Sequence, residues 1–132
     1  MREWHFYDKV YRRWVVLVIG NRKQYVKFLE GTGYKNIDED WIDGALGTCL
    51  TLDKSNNDIG NNSHILWLEK YHQPTLIHEI SHLVMMIFDS IGVEISLSNT
   101  EAFAFYSEYW FNEFTNARKN HPEGLSYKKV KK

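Results

Sequence analysis

The stretch QPTLIHEISHLVMMIFDSIG, Gln73 to Gly92, limits what this chain can fold into more than any other. Pro74 suits a first helical position, where a missing N–H removes no helical hydrogen bond, and Gly92 is placed to stop the helix. The segment between them reads as one helix of about five turns. Its apolar side chains have to be buried, so the rest of the chain must supply a second layer to cover them. Within the run stand His78, Glu79 and His82. Burying titratable groups costs several kcal/mol unless something pairs with them. Either neighbours satisfy these three, or together they hold something.

The covering layer comes from the first half of the chain. MREWHFYDK reads as a short first strand and YRRWVVLVIG as a second, richer in β-branched residues. Asn21 can cap a helix, NRKQYVKFLEGTG, with Tyr25, Phe28 and Leu29 on one face and Gly31 or Gly33 at its end. YKNIDEDWIDGAL reads as loop. ALGTCLTLD and SHILWLEK then form an antiparallel hairpin across the turn-rich KSNNDIGNN. After the long helix and the link VEISLS, NTEAFAFYSEYWFNEFTNARKN reads as a second long helix, with Ala102, Phe105 and Tyr109 toward the core. The fold class expected is α+β: a small, mainly antiparallel sheet against two long helices, in one domain spanning 1–132.

Composition excludes several roles. A formal charge of −1 argues against a general nucleic-acid binder, although basic residues gather in YRRW and in the tail YKKVKK. The single cysteine, Cys49, rules out an internal disulfide and fits a reducing compartment, so the expected location is cytoplasmic. No stretch reaches membrane-spanning length, so no membrane partner is expected.

His78, Glu79 and His82 make up the pattern H-E-x-x-H. Residues four apart on a helix share a face one turn from each other, so both imidazoles can reach one ion. Zn²⁺ suits such a pair, because its catalytic sites take three protein ligands and leave a position for water. Glu79 lies about 100° around the helix from His78, where it can act on that water as general base. A third His six residues after His82 is absent, since that place is Phe88. Glu101, nineteen residues after His82 at the start of the next helix, is the candidate third ligand. SNTE, Ser98 to Glu101, also reads as a capping box, a role for Glu101 that needs no metal.

This arrangement resembles the gluzincin metallopeptidases, whose third ligand is a Glu on the helix after H-E-x-x-H. NTEAFAF also looks like the downstream segment of the small bacterial and phage-associated ImmA/IrrE-type peptidases. The likeness covers roughly residues 74–114 and is specific at His78, Glu79, His82 and Glu101. It implies a zincin-like fold, a zinc cofactor held by His78, His82 and Glu101, and a peptide or protein substrate. The thermolysin-like branch has an Asp four residues after its ligand Glu, where this chain has Phe105, and no later transition-state His is matched.

Further candidates surround this set. Glu108 could hold a ligating His by its free ring nitrogen. Tyr106 and Tyr109 could supply an oxyanion donor. His64, His72 and His121 have no spacing argument and read as surface residues. Cys49 in LGTCLTL faintly resembles the ligand cysteine of peptide deformylases, and otherwise reads as a small buried hydrophobe. The strand SHILWLEK, just before the helix, is the expected edge along which an extended substrate would add. A reading from another class is a non-catalytic phage or mobile-element protein on the same scaffold, with structural metal or none.

Overall fold

In the computed structural model of the chain, which describes residues 1–35, 37, 42, 44–53, 55–56 and 63–126, the run RWVVLVI forms strand β2, Arg13–Ile19. All five residues from Val15 to Ile19 are buried. This marks a strand covered on both faces rather than one alternating between core and water. Strand β1, Arg2–Asp8, pairs antiparallel with β2 along its outer side. Its burial alternates, with Trp4, Phe6 and Asp8 turned inward.

Strands β3, Gly47–Leu52, and β4, Ser63–Leu68, form the expected antiparallel hairpin. β4 then pairs in parallel with β2, giving the spatial order β1-β2-β4-β3. Two of the three strand pairings are antiparallel. The expected α+β class therefore holds. Much of YKNIDEDWIDGAL and KSNNDIGNN lies outside the described residues.

Helix α1, Arg22–Gly31, starts at a reciprocal capping box. Asn21 Oδ1 accepts from the Gln24 N–H, and Gln24 Oε1 accepts from the Asn21 N–H, both at 2.9 Å. Tyr25 and Leu29 bury against one face of the sheet with Val16, Val18, Leu50 and Ile65. Tyr25 also stacks on Trp67, with centroids 4.8 Å apart.

The other face carries α2, Gln73–Ser90, and α3, Thr100–Asn120, joined through a short 3-10 turn at Leu97–Asn99. α2 lies over β3 and β4, and α3 lies toward β1, where Phe6 meets the rings of Trp110 and Phe114 at 6.0 and 5.0 Å. α3 runs back antiparallel to α2. Near its start, Phe103 and Tyr106 meet Phe88, and near its end Arg118 lies over the ring of Tyr71, just before α2. Among the described residues no helix is long and apolar enough to cross a membrane.

The face of α3 differs from the expectation. Ala102, Phe105 and Tyr109 are exposed, whereas Tyr106, Trp110, Phe114 and Ala117 are buried. The helix carries aromatic residues around most of its circumference, so periodicity alone offers two competing stripes. The sheet selects the stripe that brings Trp110 and Phe114 onto Phe6.

Candidate metal centre

The first half of α2 carries the H-E-x-x-H residues. Leu76, Ile80, Leu83, Val84, Ile87 and Phe88 fill the core beneath it, which fixes the rotation of the helix. That rotation turns His78 and His82 outward to solvent and Glu79 inward, 4 % exposed. The Nε2 atoms of His78 and His82 lie 3.2 Å apart. Glu79 Oε1 is 3.9 Å from His78 Nε2, and the three residues can present ligand atoms all within 4.8 Å of one another.

This spacing can be tested against a metal. Two nitrogens bound to one tetrahedral zinc at its usual bond length sit about 3.3 Å apart, close to the observed separation. Imidazole nitrogens are donors that zinc takes, and a catalytic zinc leaves a position for water that a neighbouring carboxylate can face. Glu79 Oε2 is buried without a hydrogen-bond partner among the described residues. A buried, unbonded carboxylate oxygen is uncommon and calls for an explanation, and a water or ion between it and the histidines would supply one. The site therefore fits a divalent metal. Burial raises the Glu79 carboxyl above the ordinary carboxylate range, and nearby His78 pulls it back down by a smaller amount.

Beside the three residues runs a cleft of about 370 Å³. Its walls are Ala45, Leu46 and Gly47 on one side and Pro74, Thr75, His78 and Glu79 on the other. Gly47 is where β3 passes the first turn of α2. A Cβ there would stand 2.8 Å from the Trp67 carbonyl and 3.0 Å from Thr75 Cγ2. A glycine in a strand is the sequence signal for such a close approach, and Gly47 opens β3 at this point.

This geometry revises the expected substrate strand. β4 is internal, paired with both β2 and β3, and β3 is the edge strand that borders the cleft. An internal strand has its ladder groups already bonded and cannot add another.

Glu101 is exposed in the first turn of α3 and does not join the group that the histidines and Glu79 form. The antiparallel packing explains this. The start of α3 lies against Phe88, at the far end of α2, six residues and roughly 9 Å along the helix beyond His82. The capping box at Ser98 is also not formed. Ser98 Oγ meets Ser96 Oγ at 2.8 Å, and Ser96 and Asn99 cap the 3-10 turn instead. An acidic residue in a first helical turn still favours the positive end of the helix dipole, and that is the role left to Glu101.

The remaining candidates separate in the same way. Glu108 is exposed on α3. Tyr106 donates its hydroxyl to Asp8, and Tyr109 lines a different cavity from the one beside the histidines. Neither is an oxyanion donor at this site. Cys49 is buried and bonds to Met86 Sδ at 3.7 Å. Burial, and secondarily the charge of Glu79, push its thiol up, so it stays protonated outside the ligand group, contrary to the deformylase-like reading. His72 and His121 are exposed as expected. His64 is not: it is 1 % exposed and bonds through Nδ1 to Thr51 Oγ1 at 2.9 Å.

Comparison of the chain with protein families, with curated proteins and with solved structures finds no match.

Proposed function

We propose that this chain is a zinc-dependent hydrolase of peptide bonds, with His78 and His82 holding the metal and Glu79 acting as general base. The observation that carries the reading is the 3.2 Å between the two Nε2 atoms, with the Glu79 carboxylate directly behind them. Zinc held there supplies a Lewis acid that polarises a scissile carbonyl and acidifies a water. Glu79 accepts the proton of the attacking water and delivers it to the leaving amine. Its burial fixes the carboxylate, so little reorganisation accompanies the transfer. His78 and His82 would hold the metal through their Nε2 atoms, both on residues exposed to solvent. The free edge of β3 aligns an extended chain by main-chain hydrogen bonds beside Gly47, where a side chain on the strand would crowd the first turn of α2.

Exposure of both imidazoles, with 69 % of the His78 side chain accessible, favours an open catalytic site over a closed structural one. Two imidazoles grip zinc less firmly than three ligands, so the test is a zinc titration followed by calorimetry rather than the metal content of purified protein. Wild type and Glu101→Ala should bind one equivalent with similar affinity, while His78→Ala and His82→Ala should not bind. Loss of binding in Glu101→Ala would return that residue to the ligand set. With zinc bound, Glu79→Gln should slow cleavage of an unstructured peptide library by about 10²- to 10⁴-fold and leave zinc affinity near the parent value. Equal cleavage rates would remove Glu79 as base, and no cleavage by the zinc-loaded parent would remove the hydrolase reading.

A further inference from the structure

A second concave site lies toward the other end of the helix pair. It is a cavity of about 280 Å³ between the β1–β2 hairpin, which supplies Asp8 and Tyr11, and α3, which supplies Phe105, Tyr106 and Tyr109. The rings of Tyr11 and Tyr106 meet at 80° with centroids 4.9 Å apart, forming a corner. Tyr109 lies parallel to Tyr106 at 5.9 Å. Phe105 is 66 % exposed, a large apolar ring left open at the rim.

Asp8 stands among these rings, 2 % exposed. Its carboxylate accepts from the Tyr106 hydroxyl at 2.5 Å and from the Val10 N–H at 2.9 Å, both neutral donors. Among the described residues no cationic side chain forms an ion pair with it, including Arg13, which lies opposite Asp8 across the hairpin. Hydrogen bonds from neutral donors stabilise a buried carboxylate but leave its net charge in place. Burial and then Asp8 raise the Glu113 carboxyl, and burial followed by the hydrogen bond to Asp8 raises the Tyr106 hydroxyl.

Aromatic faces around an uncompensated negative charge attract one chemical class. The ring quadrupoles and the carboxylate both favour a cation, and the apolar walls favour one with a greasy, weakly hydrated surface. A metal ion needs several oxygen ligands and finds a single carboxylate here. A neutral apolar ligand would leave the charge of Asp8 unanswered, and a primary ammonium is strongly hydrated. We propose that this cavity binds the alkylated ammonium head of an organic cation, with Tyr11, Phe105, Tyr106 and Tyr109 around the head and Asp8 beneath it. The proposal is independent of the metal centre.

The probes are choline and its uncharged carbon isostere, 3,3-dimethylbutan-1-ol, each titrated into the full ¹⁵N-labelled chain without added zinc. Choline should shift the amides of Ala102, Phe105 and Tyr109 saturably, and the neutral isostere should bind about tenfold more weakly or worse. Phe105→Ala, at an exposed position, should weaken choline about fivefold while preserving the spectrum elsewhere. Asp8→Asn should abolish the preference for the charged probe. Should that buried variant unfold, the two-probe comparison on wild type and Phe105→Ala still decides. Equal affinity for both probes, shifts that map elsewhere, unchanged choline affinity in Phe105→Ala, or no saturable shift with choline would each overturn the assignment.

Discussion

Buried titratable residues separate structure from chemistry in this chain. Glu79 on α2 and His64 on β4 are both nearly without exposure. His64 is a residue of the fold: burial first, and the Arg13 charge second, lower its pKa to about 4. In the unfolded chain a histidine titrates near 6.5. Between those values the unfolded state binds the extra proton, so the stability His64 contributes is full above about pH 6.5 and is lost as pH falls through about 4. Wild type should lose about 2.5 kcal/mol more than His64→Gln between pH 7.5 and 4.5, measured by urea unfolding at the two pH values. Each of the two keeps one buried atom without a hydrogen-bond partner among the described residues, His64 Nε2 and Glu79 Oε2, and what sets Glu79 apart is its place beside His78 and His82. His78, Glu79 and His82 were legible in sequence because spacing within one helix survives any tertiary arrangement. The burial of His64 was not, because a lone histidine in a strand carries no sign of which strand will cover it.

Elements were readable where one local rule sufficed. The Asn21 cap, the strand in YRRWVVLVIG, and the Pro74 to Gly92 limits of α2 all appear where the residues put them. Asn21→Ala should cost about 1 kcal/mol of stability, read from the shift in the urea midpoint at constant slope. α3 was readable as a helix but not in its rotation. Its aromatic residues form two plausible stripes, and contact with Phe6 and Phe88 decides between them. Trp110→Ala should therefore destabilise by about 3–5 kcal/mol, whereas Phe105→Ala at the exposed stripe should stay within about 0.5 kcal/mol. A reversal of that order in urea unfolding would mean that the helix is rotated the other way.

At the scale of the whole molecule, two helices share one face of the sheet and α1 covers the other, so the two concave sites lie toward opposite ends of one helix pair. The His78–Glu79–His82 group sits near the start of α2 beside the edge strand, and the aromatic cavity near the start of α3 beside the first hairpin. Zinc that binds only the folded chain should stabilise it by about 2.7 kcal/mol at one hundred times its Kd. Thermal unfolding with zinc and with excess chelator reads this directly. His82→Ala should show no difference between the two conditions, whereas Glu101→Ala should keep the full shift.

The residues alone determined the helices and strands, the α+β class and the convergence of two imidazoles, because each depends on neighbours at most a turn or a hairpin away. Tertiary packing decided what lies far apart in the chain. It made β3 rather than β4 the edge, set the rotation of α3, carried Glu101 to the wrong end of α2, and closed aromatic rings around Asp8. The reason is the same in each case: these outcomes depend on which apolar surfaces cover one another, and a one-dimensional pattern permits several coverings of similar free energy.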